Sequence, residues 1–462
     1  MKTAQDHLGE SFSLYGYQVL ETPLLEPTEL FLRKSGGELA ARMYTFTDPG
    51  GNQVSLRPEY TASIVRHYLE KAAAEPLPMR VQYAGPVFRY EGDGNSYRQF
   101  TQMGAELLGS SSTRADAEIL SLSFIALTTL GLKGHRLELG DLGVLHQLLE
   151  SLGLSERAVV FILGSIAELK TGREGLARVR ERASQLRLLP SDRAEASLKS
   201  SPSYLGKAIG AMGEEEAREL LHGLLQWAEA GPLGARQPSE VVERLLRKFR
   251  GTDDPARLEL GLEVAHILAG VRGEPGSCLT EADRLIHSQG LKSSALDRLK
   301  GLIELLEMEQ LDGSAVVLDF GLARGLAYYT GIVFEIKHPA IESSLGGGGR
   351  YDGLARALGS SSNVPALGFA YSLETVLDAL ECEGKAKKSH APRPAAVLVL
   401  SPHGKTYMEA MRLVRELRNG GTPVEVDVCG MSLEESLSYA SARGILEVIA
   451  VDGKGESTTY RV

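Results

Sequence analysis

The sequence predicts an α+β fold: an antiparallel sheet with helices, broken by a helical insertion and followed by a small C-terminal α/β domain. Three observations carry this. Strand and hairpin patterns fill residues 1–140 and return over 313–382. Between them, over 141–312, Leu, Ala, Glu and Arg recur at helical spacing. Beyond a charged, proline-bearing linker at 383–394, residues 395–462 alternate strands with helices.

Taken in order, Ala4 to Tyr15 reads as the tail of a helix with Leu8, Phe12 and Leu14 apolar. A strand-like Tyr17 to Leu20 follows and stops at Pro23. Met43 to Phe46 and Val54 to Leu56 flank Asp48-Pro49-Gly50-Gly51-Asn52, the composition of a hairpin turn. A helix runs from Thr61 to about Ala74. Val81 to Arg89 and Phe100 to Leu107 are strands whose short connection favours antiparallel pairing. In the insertion, Ala217 to Leu221 and Val241 to Leu246 are typical of the helical texture. Strands resume at Ala315 to Phe320, Ile332 to Ile336 and Ala366 to Ala370, and a helix follows from Leu373 to Cys382. Past the linker, Ala395 to Leu400, a helix from Lys405 to Asn419, Val424 to Val428, a helix from Leu433 to Arg443 and Leu446 to Val451 give βαβαβ. That order implies a small parallel three-layer domain.

The chain has 462 residues, 43% hydrophobic and 24% charged, which excludes a disordered or membrane-embedded protein. Its net charge of −10 argues against nucleic-acid binding by bulk charge but leaves a local basic surface open. The N-terminus lacks an apolar signal core, and no run of about 18 apolar residues occurs. Cys278, Cys382 and Cys429 are too scattered for a disulfide framework, so the expected compartment is the cytoplasm.

Four segments carry candidate chemistry. In Leu56-Arg57-Pro58-Glu59-Tyr60-Thr61, a strand end turns into a helix; Glu59 is placed to receive an amine or imidazole N–H, and Thr61 to cap the helix or touch a ligand. A plain turn with a surface Glu is the competing meaning. Along Phe100 to Leu107, strand alternation puts Gln102, Gly104 and Glu106 on one face, an amide and a carboxylate separated by open space. Arg89, before that strand, offers a fork for phosphate or carboxylate. Ala323-Arg324-Gly325-Leu326-Ala327-Tyr328-Tyr329 combines an aromatic wall with a second anion contact. Leu345-Gly346-Gly347-Gly348-Gly349-Arg350-Tyr351-Asp352 reads as a pocket loop, since four glycines are costly unless something flat or phosphate-like lies against the backbone. It is neither a Walker loop nor a dinucleotide fingerprint. No metal-ligand spacing is present; His135 and His146 read as surface or helix-face residues, and Arg412, Arg415 and Arg418 as a solvated helix face or basic strip.

Together these segments resemble the histidyl-tRNA synthetase family and its non-ligase paralogue, the regulatory subunit of ATP phosphoribosyltransferase. The most specific parts are Arg324-Gly325-Leu326-Ala327-Tyr328-Tyr329 and Gly347-Gly348-Gly349-Arg350-Tyr351-Asp352. The resemblance implies a class II aminoacyl-tRNA synthetase sheet, a homodimer formed around Tyr17 to Pro23, and an anticodon-binding-like domain after Pro394. It also implies a histidine pocket of Glu59, Thr61, Gln102, Glu106, Tyr328 and Tyr329, with Arg89 and Arg324 at the ATP α-phosphate.

The departures fall on the ATP side. In Gly368-Phe369-Ala370-Tyr371-Ser372-Leu373-Glu374-Thr375 the third class II motif should end in Arg, yet Thr375 stands there and Ser372 replaces a glycine. Gly92 and Ser96 stand where synthetases place arginines, and Ala327 replaces an aspartate. Each lost charge-assisted phosphate contact costs about 1.5 to 3 kcal/mol. The leading expectation is therefore a histidine-binding regulatory subunit of ATP phosphoribosyltransferase, in histidine biosynthesis, needing no cofactor and partnered by the catalytic subunit. The alternative is a divergent ligase that makes histidyl-adenylate with ATP and Mg²⁺ and charges tRNA(His), with Arg89 and Arg324 as its catalytic residues. An RNA-binding paralogue is a third reading.

Overall fold

The computed structural model describes residues 1–33, 36–71, 76–90, 98–186, 188–189, 212, 214–227, 242, 253–291, 293–309, 311, 313–322, 328–385, 397–400, 406–452, 454 and 456–462. The chain divides into two compact units, Met1–Lys385 and Ala386–Val462.

The first unit opens with a helix, Lys2–Leu14, that buries Ala4, Leu8 and Phe12. Its strands, in chain order, are β1 (Gln18–Val19), β2 (Leu25–Pro27), β3 (Thr45–Thr47), β4 (Gln53–Leu56), β5 (Met79–Phe88), β6 (Gln99–Leu108), β7 (Arg136–Asp141), β8 (Arg272–Gly273), β9 (Val316–Asp319), β10 (Ile332–His338), β11 (Ile341–Arg350) and β12 (Ala366–Ser372). Among the described residues, nine form one sheet in the order β1-β5-β6-β12-β11-β10-β7-β9-β8, and β2-β4-β3 form a small second sheet. The expected β5/β6 pair is antiparallel over its whole length, from Met79 opposite Leu108 to Phe88 opposite Gln99. The β3/β4 hairpin closes as its composition predicts: Asp48 Oδ1 accepts the Asn52 N–H at 2.8 Å, and Gly51 takes φ +85°. The helix Thr61–Lys71 packs Ile64, Val65 and Tyr68 into a core shared with Tyr83, Val87, Tyr328 and Tyr351. That core sets one wall of the candidate site against the sheet.

Several expectations are corrected here. Gly346 to Gly349 are not a loop but the second half of β11, paired with β10 on one side and β12 on the other. Glycine is needed there by crowding: a Cβ on Gly348 would lie 1.9 Å from the Gly368 carbonyl oxygen, and one on Gly349 would lie 2.8 Å from the Tyr329 ring. The helix Thr113–Thr129 and strand β7 escaped the sequence reading. His135 is buried rather than at a surface, 4.2 Å from Phe124 ring to ring, with Nε2 at 3.1 Å from the Phe124 carbonyl oxygen.

The insertion is helical, as in Leu142–Ser151, Pro255–Ala269 and Ser294–Met308, with Asp254 capping Pro255–Ala269 through the Ala256 N–H at 3.0 Å. It is not purely helical, since β8 lies within it and pairs antiparallel with β9. The Ala217 to Leu221 stretch lies in the helix Glu214–Trp227, whereas Val241 to Leu246, Val242 apart, falls outside the described residues. Glu383 accepts from the Lys133 N–H at 3.0 Å and lies 3.0 Å from His338 Nε2, and Lys385 Nζ donates to the Gly131 carbonyl at 2.7 Å.

In the second unit, β13 (Val397–Leu400), β14 (Val424–Val426) and β15 (Glu447–Val451) are parallel, with helices Thr406–Asn419 and Leu433–Arg443 between them. A fourth strand, β16 (Ser457–Arg461), adds antiparallel to β15, so the sheet is mixed rather than wholly parallel. Ser432 and Glu435 form a reciprocal capping box, and Gly444 ends the helix at φ +68°. Arg412 pairs with Glu409 at 3.3 Å and Arg418 donates to the Val424 carbonyl, so two of the three arginines of the expected strip are engaged. Among the described residues, no helix is long and apolar enough to cross a membrane.

Candidate functional site

The register of three strands builds the floor of the site. On β6, Gln102, Gly104 and Glu106 point to one face; across β5 they meet Gly85, Tyr83 and Val81, and across β12 they meet Ser372, Ala370 and Gly368. Small residues beside the two polar ones keep that face open. The glycine at 368 is obligatory, because a Cβ would sit 1.5 Å from Glu106 Oε2.

Glu106 is 1% exposed and is held by three hydroxyls. Thr61 Oγ1 donates to Oε1 at 2.7 Å, Tyr83 Oη donates to the same oxygen at 3.2 Å, and Tyr351 Oη donates to Oε2 at 2.6 Å. Burial pushes its carboxyl up to about 7, partly offset by those hydrogen bonds, while the nearby Glu59 charge pushes it further up. Glu59 is 2% exposed and serves the helix Thr61–Lys71: Oε2 accepts from the Thr61 N–H at 2.5 Å and Oε1 from the Ala62 N–H at 3.0 Å. Burial also raises Glu59, against the backbone donors and the Arg89 charge that favour its ionised form. Gln102 is nine-tenths buried, and its Oε1 has no hydrogen-bond partner among the described residues. A buried, unsatisfied amide oxygen on the same face of β6 as a buried carboxylate, four residues along the strand, offers two acceptors that a ligand carrying N–H donors would complete.

Aromatic rings close the site. Tyr328 is 3% exposed, with its ring centroid 5.0 Å from that of Tyr329 and 5.7 Å from that of Tyr351. The structure thus brings Glu59, Thr61, Glu106, Tyr328 and Tyr351 together, with Gln102 on the adjoining floor and Tyr329 over Gly349. Arg350 turns elsewhere: its guanidinium pairs with Asp116 at 2.6 Å and Asp352 at 3.0 Å and donates to the Ser110 carbonyl. It ties β11 to the helix Thr113–Thr129. Arg89 donates through Nε to the Pro58 carbonyl at 2.8 Å, just ahead of Glu59. Arg324, like Ala327, Gly92 and Ser96, lies outside the described residues. Thr375 Oγ1 donates to Ser372 Oγ at 2.8 Å, and the Glu374 carboxylate accepts the Thr101 N–H. The polar groups at this strand–helix junction are thus engaged with one another, with no cation from position 375.

Tyr83, which donates to Glu106, is a side chain of this candidate site that the sequence did not point to, although alternation on β5 opposite Gly104 would have found it. A cavity of about 700 Å³ beside the N-terminal helix touches Arg57, Tyr60, Tyr83 and Gly85 but none of the six predicted histidine ligands. Among the described residues, no group of three or more His, Cys, Asp or Glu could hold a metal ion.

A family model described as histidyl-tRNA synthetase matches residues 1–223 and 246–376. The chain belongs to the histidyl-tRNA synthetase family. Within that family, a histidine–tRNA ligase of Pyrococcus furiosus is 29% identical over 452 residues, covering 97% of this chain and 87% of its own. One of Sulfurisphaera tokodaii is 30% identical over 443 residues, 95% of this chain and 84% of its own. The fold is that of class II synthetase-like structures. An ATP phosphoribosyltransferase regulatory subunit/histidyl-tRNA synthetase from Bacillus halodurans superimposes with a TM-score of 0.61 at 22% identity, over 97% of this chain and 93% of that one. The apo histidyl-tRNA synthetase of S. aureus gives 0.53 at 22% identity, over 100% and 93%.

Proposed function

We propose that this family member binds L-histidine at the Glu106 site without ligating it, and serves as the regulatory subunit of an ATP phosphoribosyltransferase. The observation that carries the reading is the presence of two electron-rich groups on one face of β6: the Glu106 carboxylate, linked to Tyr328 through Tyr351, and the Gln102 oxygen, which has no partner among the described residues. They match a ligand with an ammonium and an imidazole N–H. Thr375 supports the non-ligating half: ATP-side chemistry needs fixed cations where phosphate charge develops, and here a hydroxyl bonded to Ser372 stands instead.

Regulation then follows from differential affinity. Histidine stabilises whichever state of the complex holds the pocket in its binding form, and shifts the balance toward it. The proposed assembly is a cytoplasmic homodimer with the phosphoribosyltransferase catalytic subunit as partner. In it, residues 1–140 and 313–382 form the synthetase-like core, 141–312 the insertion, and 395–462 an anticodon-binding-like domain.

A second reading, a divergent ligase for tRNA(His) that uses ATP and Mg²⁺, is favoured by one observation: curated ligases match 97% of the chain, including its C-terminal unit. Histidine-dependent exchange of pyrophosphate into ATP separates the two. The expected result is histidine binding by calorimetry, selective over other amino acids, with no exchange. Clear exchange by the wild-type protein would establish the ligase, and Thr375→Arg tests whether that one position silences it.

A further inference from the structure

The insertion is more than an appendage to the sheet, because it builds the end of β9. Asp319, the last residue of β9, is 1% exposed. Its carboxylate pairs with Lys170, next to the insertion helix Ile166–Leu169, and with Arg272 Nε of β8 at 3.2 Å, while Oδ1 accepts the Gly321 N–H at 3.0 Å. The Phe320 N–H donates to the Val271 carbonyl at 3.2 Å. A Cβ on Gly321 would meet the Ala269 carbonyl oxygen at 2.4 Å and Lys170 Cδ at 2.8 Å, so this turn is wedged between the end of helix Pro255–Ala269 and the lysine stem. Lys170, Ala269, Val271 and Arg272 all come from the insertion. On the core side, Gly140 of β7 leaves room for the Asp319 carbonyl and for Leu322, and β7 in turn pairs with β10, with Asp141 opposite Ile332. Tyr328 follows Asp319 by nine positions in the sequence.

We infer that the insertion sets the ligand affinity of the tyrosine pocket through this clamp on Asp319, with Lys170 as a positioning residue. The inference rests on the proposed histidine pocket. A buried carboxylate that loses one of its cations is disfavoured, so removing Lys170 leaves Asp319 held by Arg272 and the Gly321 N–H alone and draws it toward them, and the exit of β9 moves with it. Coupling of this kind is reciprocal: a pocket held in its binding form by the insertion must, when filled, hold the insertion more firmly.

The test compares wild type, Lys170→Met, Lys170→Arg and Arg173→Ala. Arg173 belongs to the same insertion, but its pair with Glu263 is exposed. Amide exchange is followed by mass spectrometry for peptides spanning 316–322 and 328–336, without ligand, alongside calorimetry with L-histidine and a thermal melt. Lys170→Met should speed exchange at least tenfold in both peptides and weaken histidine at least tenfold, both read at a temperature where the melt shows the variant folded, with its melting temperature lowered by the loss of one of Asp319's two cations. Lys170→Arg and Arg173→Ala should stay within twofold of wild type. Acceleration confined to 316–322, or a fall in melting temperature with unchanged histidine affinity, would overturn the inference by reducing the clamp to a local strut. If wild type fails to bind histidine, the functional proposal fails instead, and the 328–336 peptide still decides whether Lys170 positions the tyrosine segment.

Discussion

Tyr351 and Glu106, far apart in sequence, meet through a 2.6 Å hydrogen bond in which the phenol donates to Oε2. The carboxylate so held is buried, raised to about 7 and, among the described residues, accepts from hydroxyls only. It therefore titrates in the range where histidine itself titrates, and the site's pH behaviour follows.

Histidine affinity should fall as pH drops from 8 to 6, because protonating Glu106 removes the acceptor for the ligand's cationic N–H. Calorimetric titrations across that range check this. Glu106→Gln should lower affinity more than tenfold at pH 8 and flatten the dependence.

The same group makes stability depend on pH. Its folded value lies above the ordinary carboxyl value of 4.5, so the folded state holds a proton that the unfolded state releases. The contribution of Glu106 to stability is fully present below about 4.5 and is lost as pH rises through about 7, by a cost on the order of 3 kcal/mol. Urea unfolding at pH 5 and pH 8 should show wild type losing more stability between the two than Glu106→Gln does.

Glu383 behaves in the opposite sense. Hydrogen bonds from Lys385, His338 and the Lys133 N–H outweigh its burial and hold it at about 2. Its stabilising effect is present above the ordinary carboxyl value and is lost as pH falls from about 4.5 toward 2. Glu383→Gln should cost about 1 kcal/mol at pH 7, and the gap in melting temperature should narrow by pH 3.

Gly368→Ala drives a methyl into Glu106 Oε2 and should abolish histidine binding in protein that still folds. Gly301→Ala, in the helix Ser294–Met308 with nothing within 4 Å of the new carbon, should instead raise stability by about 0.5 to 1 kcal/mol. Thermal melts and calorimetry on the pair separate crowding at the site from ordinary helix propensity.

Arg350→Met leaves Asp116 buried without its main partner and should cost about 3 to 5 kcal/mol. Adding Asp116→Asn should recover part of that loss. A double-mutant cycle in urea measures the coupling, and an additive pair would show that the contact carries no specific energy.

Much of this was legible in the residues. Alternation placed Gln102, Gly104 and Glu106 on one face, and turn composition marked the Asp48 to Asn52 hairpin. The family resemblance grouped Glu59, Thr61, Gln102, Glu106, Tyr328 and Tyr329, whereas Tyr351, read only as part of the glycine-rich segment, is brought by the fold against Glu106. The glycine run misled because four glycines locally look like a loop. What makes them a strand is crowding by Gly368 and Tyr329, set by register and invisible in the segment itself. Arg350 misled for a related reason: its partner Asp116 lies on a helix the sequence reading passed over. β8 is two residues long and has no pattern to detect, and it exists only because β9 offers an unpaired edge.

That short strand also bears on how such a chain can be shortened. Arg272 and Gly273 cap the outermost edge of the nine-stranded sheet. Excising the whole insertion would strip the cap and leave the β9 backbone facing water, a template for intermolecular strand addition. A trimmed descendant of this protein would have to retain those two residues, or carry charge or proline along β9, to stay free of aggregation.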